Sequence, residues 1–219
     1  MTAPQTPEQP DLVVRTVEWA AKYRTHLIAG AATIALVILA VWYFFAAQQR
    51  RETVAARDLE SARVVAAAGN VALAASDLAR LVETYGGTRA ADEAAIELAR
   101  IRLTEGQPAA AMVELRKLIA SGPGDQFIAP AHGLLAAALE QAGNPAEAAQ
   151  EYLVAAEAAW YDFLKAQYLL DAGRTLLGAG DSGTAVLTYE RVIQELGETN
   201  QAAEARVRVS ELQAARQPT

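Results

Sequence analysis

A turn signal recurs in this chain at one fixed interval: Gly69-Asn70, Gly106-Gln107, Gly143-Asn144 and Gly180-Asp181 are each 37 residues from the next. Registering the sequence on these glycines aligns three further positions. An alanine follows each glycine by five residues, at Ala74, Ala111, Ala148 and Ala185, and a small residue precedes it by seven, at Ala62, Ala99, Ala136 and Gly173. Nine residues after it stand Leu78, Leu115, Tyr152 and Tyr189. Such a period belongs to a solenoid, in which one supersecondary unit recurs because no unit buries its own apolar face alone.

Each unit reads as two helices. Alanine-rich stretches with apolar residues at helical spacing flank every turn, as in Ile96, Ala99 and Leu103 before Gly106 and Met112, Leu115, Leu118 and Ile119 after it. The glycine ends the first helix in the left-handed region, and Asn70, Asn144 or Asp181 is placed to cap the second. Asn144-Pro145-Ala146-Glu147 combines a cap, a first-turn proline and an acidic residue three places on. The recurrent alanines fall where two helices cross too closely for a larger side chain, with Leu115, Tyr152 and Tyr189 filling the space between neighbours.

Small residue, Gly-Asn or Gly-Asp turn, alanine and aromatic, in that order, resemble the tetratricopeptide repeat, most closely in the last copy with Gly173, Leu176, Gly180, Asp181, Ala185 and Tyr189. The resemblance implies an all-α helix-turn-helix solenoid. Its repeats cover about 55–88, 89–125, 126–162 and 163–198, with a C-terminal capping helix over 199–216. It also implies a protein-binding scaffold rather than an enzyme.

Ahead of the repeats, residues 27–47 contain no charge and no proline. As a helix these 21 residues would run about 31 Å, close to the roughly 30 Å of bilayer hydrocarbon. Trp19 and Tyr23 mark one end and Trp42 and Tyr43 the other, as expected of aromatic side chains at the two lipid–water boundaries. A solenoid of small repeats has nowhere to bury an all-round apolar helix, and no small-x-small cleavage site follows the run, so it reads as a transmembrane helix rather than a core helix or a cleaved signal. The chain thus divides into a short tail with an amphipathic lead-in (1–26, including Val13, Val14, Val17 and Trp19), a span (27–47) and a repeat domain (48–219).

Charge narrows the partners. Residues 58–219 carry 13 basic and 22 acidic groups, a balance unsuited to nucleic acid or an anionic lipid surface. The absence of cysteine excludes disulfides and thiolate metal sites. Orientation is tied by charge: Arg15, Lys22 and Arg24 precede the span, and Arg50, Arg51 and Arg57 follow it. The order of short tail, single span ending in Trp42-Tyr43 and alanine-rich repeats is similar to the ancillary Sec translocon subunit family of bacterial inner membranes. That resemblance implies a cytoplasmic N-terminus, a periplasmic repeat domain, and protein partners among translocon subunits, periplasmic chaperones or secreted clients. A structural accessory subunit of another inner-membrane complex, or an envelope-assembly adaptor, is the alternative.

Motifs that imitate enzymes fall inside the repeat pattern. Gly178-Ala179-Gly180-Asp181-Ser182-Gly183 matches G-x-G-x-x-G, but a dinucleotide fingerprint needs a preceding strand where this chain has a helix. A serine nucleophile at Ser182 would need a histidine and an aspartate upstream in a quite different fold, and only His26 and His132 exist. Asp92, Glu93 and Glu97 read as a solvated helix face rather than a metal site. No catalytic residue, metal ligand or cofactor-binding residue is assigned, and no small-molecule substrate is expected.

One pattern remains for ligand binding. Directly after the small residue of the first helix stand Arg63, Arg100 and Arg174, with Ala137 in the third copy. In the tetratricopeptide family this position faces the concave groove, where extended peptides bind. A local reading stands beside it, because Glu60, Glu97 and Asp171 each precede their arginine by three residues, as intrahelical ion pairs require. Arg206 and Arg208 fall in the capping helix, outside that row.

Overall fold

A computed structural model describes Trp19 and residues 22–215; the expected lead-in residues Val13, Val14 and Val17 lie outside the described residues, as does the last residue of the expected cap. The chain divides into two units, Met1–Arg50 and Arg51–Thr219. All regular structure among the described residues is helical: α1 (Arg24–Ala67), α2 (Val71–Tyr85), α3 (Arg89–Thr104), α4 (Pro108–Ala120), α5 (Asp125–Gln141), α6 (Pro145–Ala158), α7 (Asp162–Gly178), α8 (Ser182–Glu195) and α9 (Asn200–Ala215).

In the first unit, α1 is long and apolar enough to cross a membrane, and none of its apolar stretch is buried. Ile34, Leu36, Ile38, Leu39, Phe44 and Phe45 are all exposed. The ring centroids of Trp19 and Tyr23 lie 5.4 Å apart, and Trp42 and Tyr43 stand free of packing at the other end of the apolar run.

The second unit is a series of helical hairpins. Gly69, Gly106, Gly143 and Gly180 all take positive φ, at 87°, 69°, 80° and 84°. At each, the glycine N–H donates three residues back, and the next N–H donates five residues back, as in Gly180 to Leu177 at 3.0 Å and Asp181 to Leu176 at 2.9 Å. These paired bonds satisfy carbonyls that the end of a helix leaves open. The residue after the glycine therefore closes one helix and opens the next. Asn70 and Asp181 also cap the second helix, accepting from Leu73 N at 3.4 Å and Thr184 N at 2.9 Å. Asn144, expected to cap α6, makes no such bond; like Gln107 it is followed by a proline at the first helical position, which presets φ for the helix and leaves one fewer unpaired N–H in its first turn.

The core is a chain of overlapping clusters rather than one centre. Ala55, Leu59 and Ala62 of α1 pack with Leu78, Leu81 and Leu98. Leu103, Leu115, Phe127, Leu135 and Leu139 form the next cluster, and Leu169, Leu176, Tyr189, Val192 and Val209 the last. More than half of the buried apolar residues are alanine, and Ala74, Ala111, Ala148 and Ala185 are wholly enclosed. Two glycines inside helices take this close packing further. A Cβ at Gly133 would meet Tyr168 Cε1 at 2.5 Å, and one at Gly173 would meet Tyr189 Cε1 at the same distance.

Candidate peptide-binding face

The first helices of successive repeats, namely the C-terminal part of α1 with α3, α5 and α7, carry the arginine row. Arg63 reaches across to α3: its Nη2 donates to Glu93 Oε1 and Glu97 Oε1, both at 2.5 Å, and its Nε donates to Glu97 Oε1 at 2.8 Å. The local acid Glu60 is also near, at 3.8 Å. Three carboxylates thus surround one guanidinium. Arg174 on α7 reaches back to α5, where both Glu140 oxygens accept from it, one from Nη2 at 3.0 Å. Asp171 lies 3.5 Å from the same Nη2.

Arg100 differs. It is exposed and has no carboxylate partner among the described residues. The acid three residues before it, Glu97, has turned to Arg63 instead. The pairs that cross between repeats explain the gap. Arg63–Glu97, Glu140–Arg174 and Glu157–Arg191 are each 34 residues apart, one helical turn short of the sequence period, because contacting residues on like helices are staggered by about a turn. The corresponding position for Arg100 is 134, which is Leu134 rather than an acid. On α5, the first helix between those of Arg100 and Arg174, Leu134 and Ala137 are partly exposed, and Tyr168 lies over the buried Gly133.

The electrostatics follow from these neighbours. Arg174 holds the Glu140 carboxyl below the usual carboxylate range, against an opposing effect of burial. Burial pushes the Asp171 carboxyl up, although Gln167 and Arg174 bond it, and burial likewise raises the Tyr168 hydroxyl, with the Arg100 charge acting in the other direction. Tyr152 donates from its hydroxyl to Glu140 Oε2 at 3.4 Å, tying the second helix of the third repeat into the same cluster.

Several residues do more than their sequence pattern announced. Asp92, Glu93 and Glu97 are not a solvated face: Asp92 is buried and accepts from Gly124 N at 3.2 Å, while the two glutamates hold Arg63. Glu52 accepts from the backbone N–H groups of Arg89 and Ala90, at 2.9 and 3.1 Å, capping α3 from the preceding repeat. His132 Nδ1 and Glu151 Oε2 are 2.6 Å apart across the α5–α6 hairpin. Arg208 pairs within α9, with Glu204 at 3.6 Å and Glu211 at 3.3 Å. Spacing at 34 was the signal that could have found the Arg63–Glu97 pair; the other contacts fall at different separations. The turn Gly178–Gly183 joins two helices, so the G-x-G-x-x-G match has no strand to support it.

Fold and face together define a helical-hairpin repeat protein whose side chains are spent on joining one repeat to the next. The chain belongs to the tetratricopeptide repeat-like domain family, whose sequence model matches residues 18–217. Among curated proteins none matches the sequence significantly. Repeat folds of this class typically serve as non-catalytic protein-interaction scaffolds.

Proposed function

We propose that the protein is a membrane-anchored scaffold of the bacterial cell envelope, held in the inner membrane by residues 27–47 with its N-terminus in the cytoplasm and its repeats in the periplasm. In this reading it is an accessory subunit of the Sec translocon and periplasmic chaperone network, and the first-helix face captures extended segments of translocon subunits, chaperones or secreted chains. The alternative, a structural subunit of another inner-membrane complex, would make the span its main contact.

The observation that carries the binding assignment is Arg100, a guanidinium left without a carboxylate on a face where the other two arginines of the row are held. Free donors there suit a peptide carbonyl or carboxylate, with Leu134 and Ala137 offering apolar contact beside it. Binding of this kind holds backbone without reading much sequence. Arg63 and Arg174, in this reading, shape and stiffen the face rather than supply its charge.

Two measurements test the proposal. The chain has no cysteine, so Ala146→Cys, exposed in the first turn of α6, is a single topology reporter. Labelling by a membrane-impermeant maleimide once the outer membrane alone is permeabilised supports a periplasmic domain; labelling only after inner-membrane lysis sinks the translocon assignment. A photo-crosslinking residue at position 100 should then trap translocon subunits, periplasmic chaperones or secreted chains, whereas one at position 80, on the second helix of the first repeat, should not. Identical products at both positions, or capture through the span alone, would favour the structural-subunit alternative.

A further inference from the structure

Three aromatic side chains stand in solvent where α6 gives way to α7. Trp160, Tyr161 and Phe163 are 64%, 60% and 54% exposed, and the rings of Tyr161 and Phe163 stack with 5.7 Å between centroids. Packing does not require them, because Ala149, Ala156, Ala166 and Leu169 join α6 to α7 without any of the three. Burial of one such side chain is worth about 1.5–3 kcal/mol, so a contiguous trio left in water marks a contact surface. Trp160 borders a cleft of about 170 Å³ with Ala129, Pro130 and Leu164. Small-molecule sites occupy roughly 300–1,000 Å³, so this is a surface for docking rather than a ligand pocket.

Chain connectivity selects the occupant. In the first repeat, Arg51 donates to Thr84 O at 3.4 Å and Glu52 accepts from Arg89 N and Ala90 N, so the chain enters the repeat unit against the α2–α3 junction. The α6–α7 junction is the equivalent place two repeats further on, about 20 Å away at the usual 8–10 Å between packed helices. The apolar run ends at Ala47, and the four steps from there to Arg51 extend to no more than about 14 Å. Any bilayer that accepts the run therefore begins, along the chain, only a few residues before the repeats. The chain has three tryptophans: Trp19 and Trp42 stand near the two ends of the apolar run, and Trp160 belongs to this edge. Tryptophan and tyrosine favour the lipid–water boundary. The flanking acids Asp125, Glu157, Asp162 and Glu198 outnumber the bases Lys165 and Arg191, the latter paired with Glu157, so the attraction is apolar and suits zwitterionic lipid, not an anionic surface.

We infer that Trp160, Tyr161 and Phe163 insert into the interfacial layer of the bilayer that α1 crosses, giving the repeat unit a second, reversible membrane contact. The inference rests on the reading of residues 27–47 as a span. Its consequence is that one edge of the repeat unit is held on the lipid.

The test uses the full chain in phosphatidylcholine vesicles at low protein-to-lipid ratio, with Trp19→Phe and Trp42→Phe so that Trp160 alone emits. Flotation through a density gradient after an alkaline wash reports on the anchor, and quenching by lipid carrying a nitroxide close to the glycerol or deep in the acyl chain reports on the patch. The expected result is flotation with about twofold quenching by the shallow nitroxide and less by the deep one, as the interfacial preference of tryptophan requires. Tyr161→Ser with Phe163→Ser should cut that quenching at unchanged thermal stability, since both side chains are exposed. A chain that floats while Trp160 ignores both nitroxides overturns the lipid contact and leaves the anchor standing, returning the patch to a protein partner. A chain that fails to float overturns both.

Discussion

Gly173→Ala opposes two effects of known size. Gly173 lies inside α7, where alanine is favoured over glycine by about 0.8–1.0 kcal/mol of helix propensity. The added Cβ, however, would stand 2.5, 2.7 and 2.9 Å from Cε1, Cζ and Cδ1 of Tyr189, and contact distances for carbon are about 3.5–4.0 Å. The ring must retreat by about 1 Å, and it cannot do so freely, because Tyr189 is 2% exposed among Leu169, Leu176, Val192 and Val209. Overpacking of a close-packed site costs about 1–3 kcal/mol, and with a rigid ring as the obstacle the upper half of that range applies. The net is a destabilisation of about 1–2 kcal/mol, or a fall in Tm of about 2–8 °C for a unit of this size. Far-UV circular dichroism of the full chain in detergent, during thermal and urea unfolding, gives the number. Gly178→Ala in the same helix meets nothing within 4 Å and should be neutral or stabilising by up to about 1 kcal/mol. Tyr189→Leu, costly by itself, should recover about 1 kcal/mol when combined with Gly173→Ala, as expected of residues in contact. A Gly173→Ala protein as stable as the wild type, with no coupling to position 189, would refute the close crossing of α7 and α8.

Three further outcomes follow from the contacts. Leucine at Ala148 or Ala185, both wholly enclosed, should cost about 1–3 kcal/mol by overpacking, while Ala146→Leu on the surface should change unfolding little. Arg100→Ala should weaken capture of partner proteins at unchanged stability, whereas Arg63→Ala should lower stability by about 0.2–1 kcal/mol per exposed pair broken; Arg80→Ala, whose side chain is 73% exposed and pairs with Asp77 in its own helix, is the control for both measurements. The acid limb should split by residue. Arg174 lowers the folded value of Glu140 below its ordinary 4.5, so its stabilisation is present above that value and is lost as pH falls through the folded one, and Glu140→Gln should flatten the limb there. Burial raises Asp92 above its ordinary 3.8, so its ionisation removes stability as pH climbs from that value through the folded one; Asp92→Asn, which keeps an acceptor for Gly124 N, should not lose stability at neutral pH.

The sequence by itself determined the repeat. Glycine every 37 residues is legible because a positive φ at a helix end leaves few alternatives, and alanine in register is legible because only a small side chain fits a close helix crossing. The apolar run was equally plain, since length and the absence of charge are linear properties of a chain. What the arginine row would do was not legible. Glu97 is three residues from Arg100 and 34 from Arg63, and it bonds the distant one; that choice depends on how far α3 slides against α1, which no local pattern records. The same stagger sets Leu134 where Arg100 would otherwise find an acid, and it sets Glu140 opposite Arg174. Charge pairing between repeats is a property of register, and register is decided by how alanines and aromatics let neighbouring helices settle, so the free guanidinium became visible only once the helices were packed.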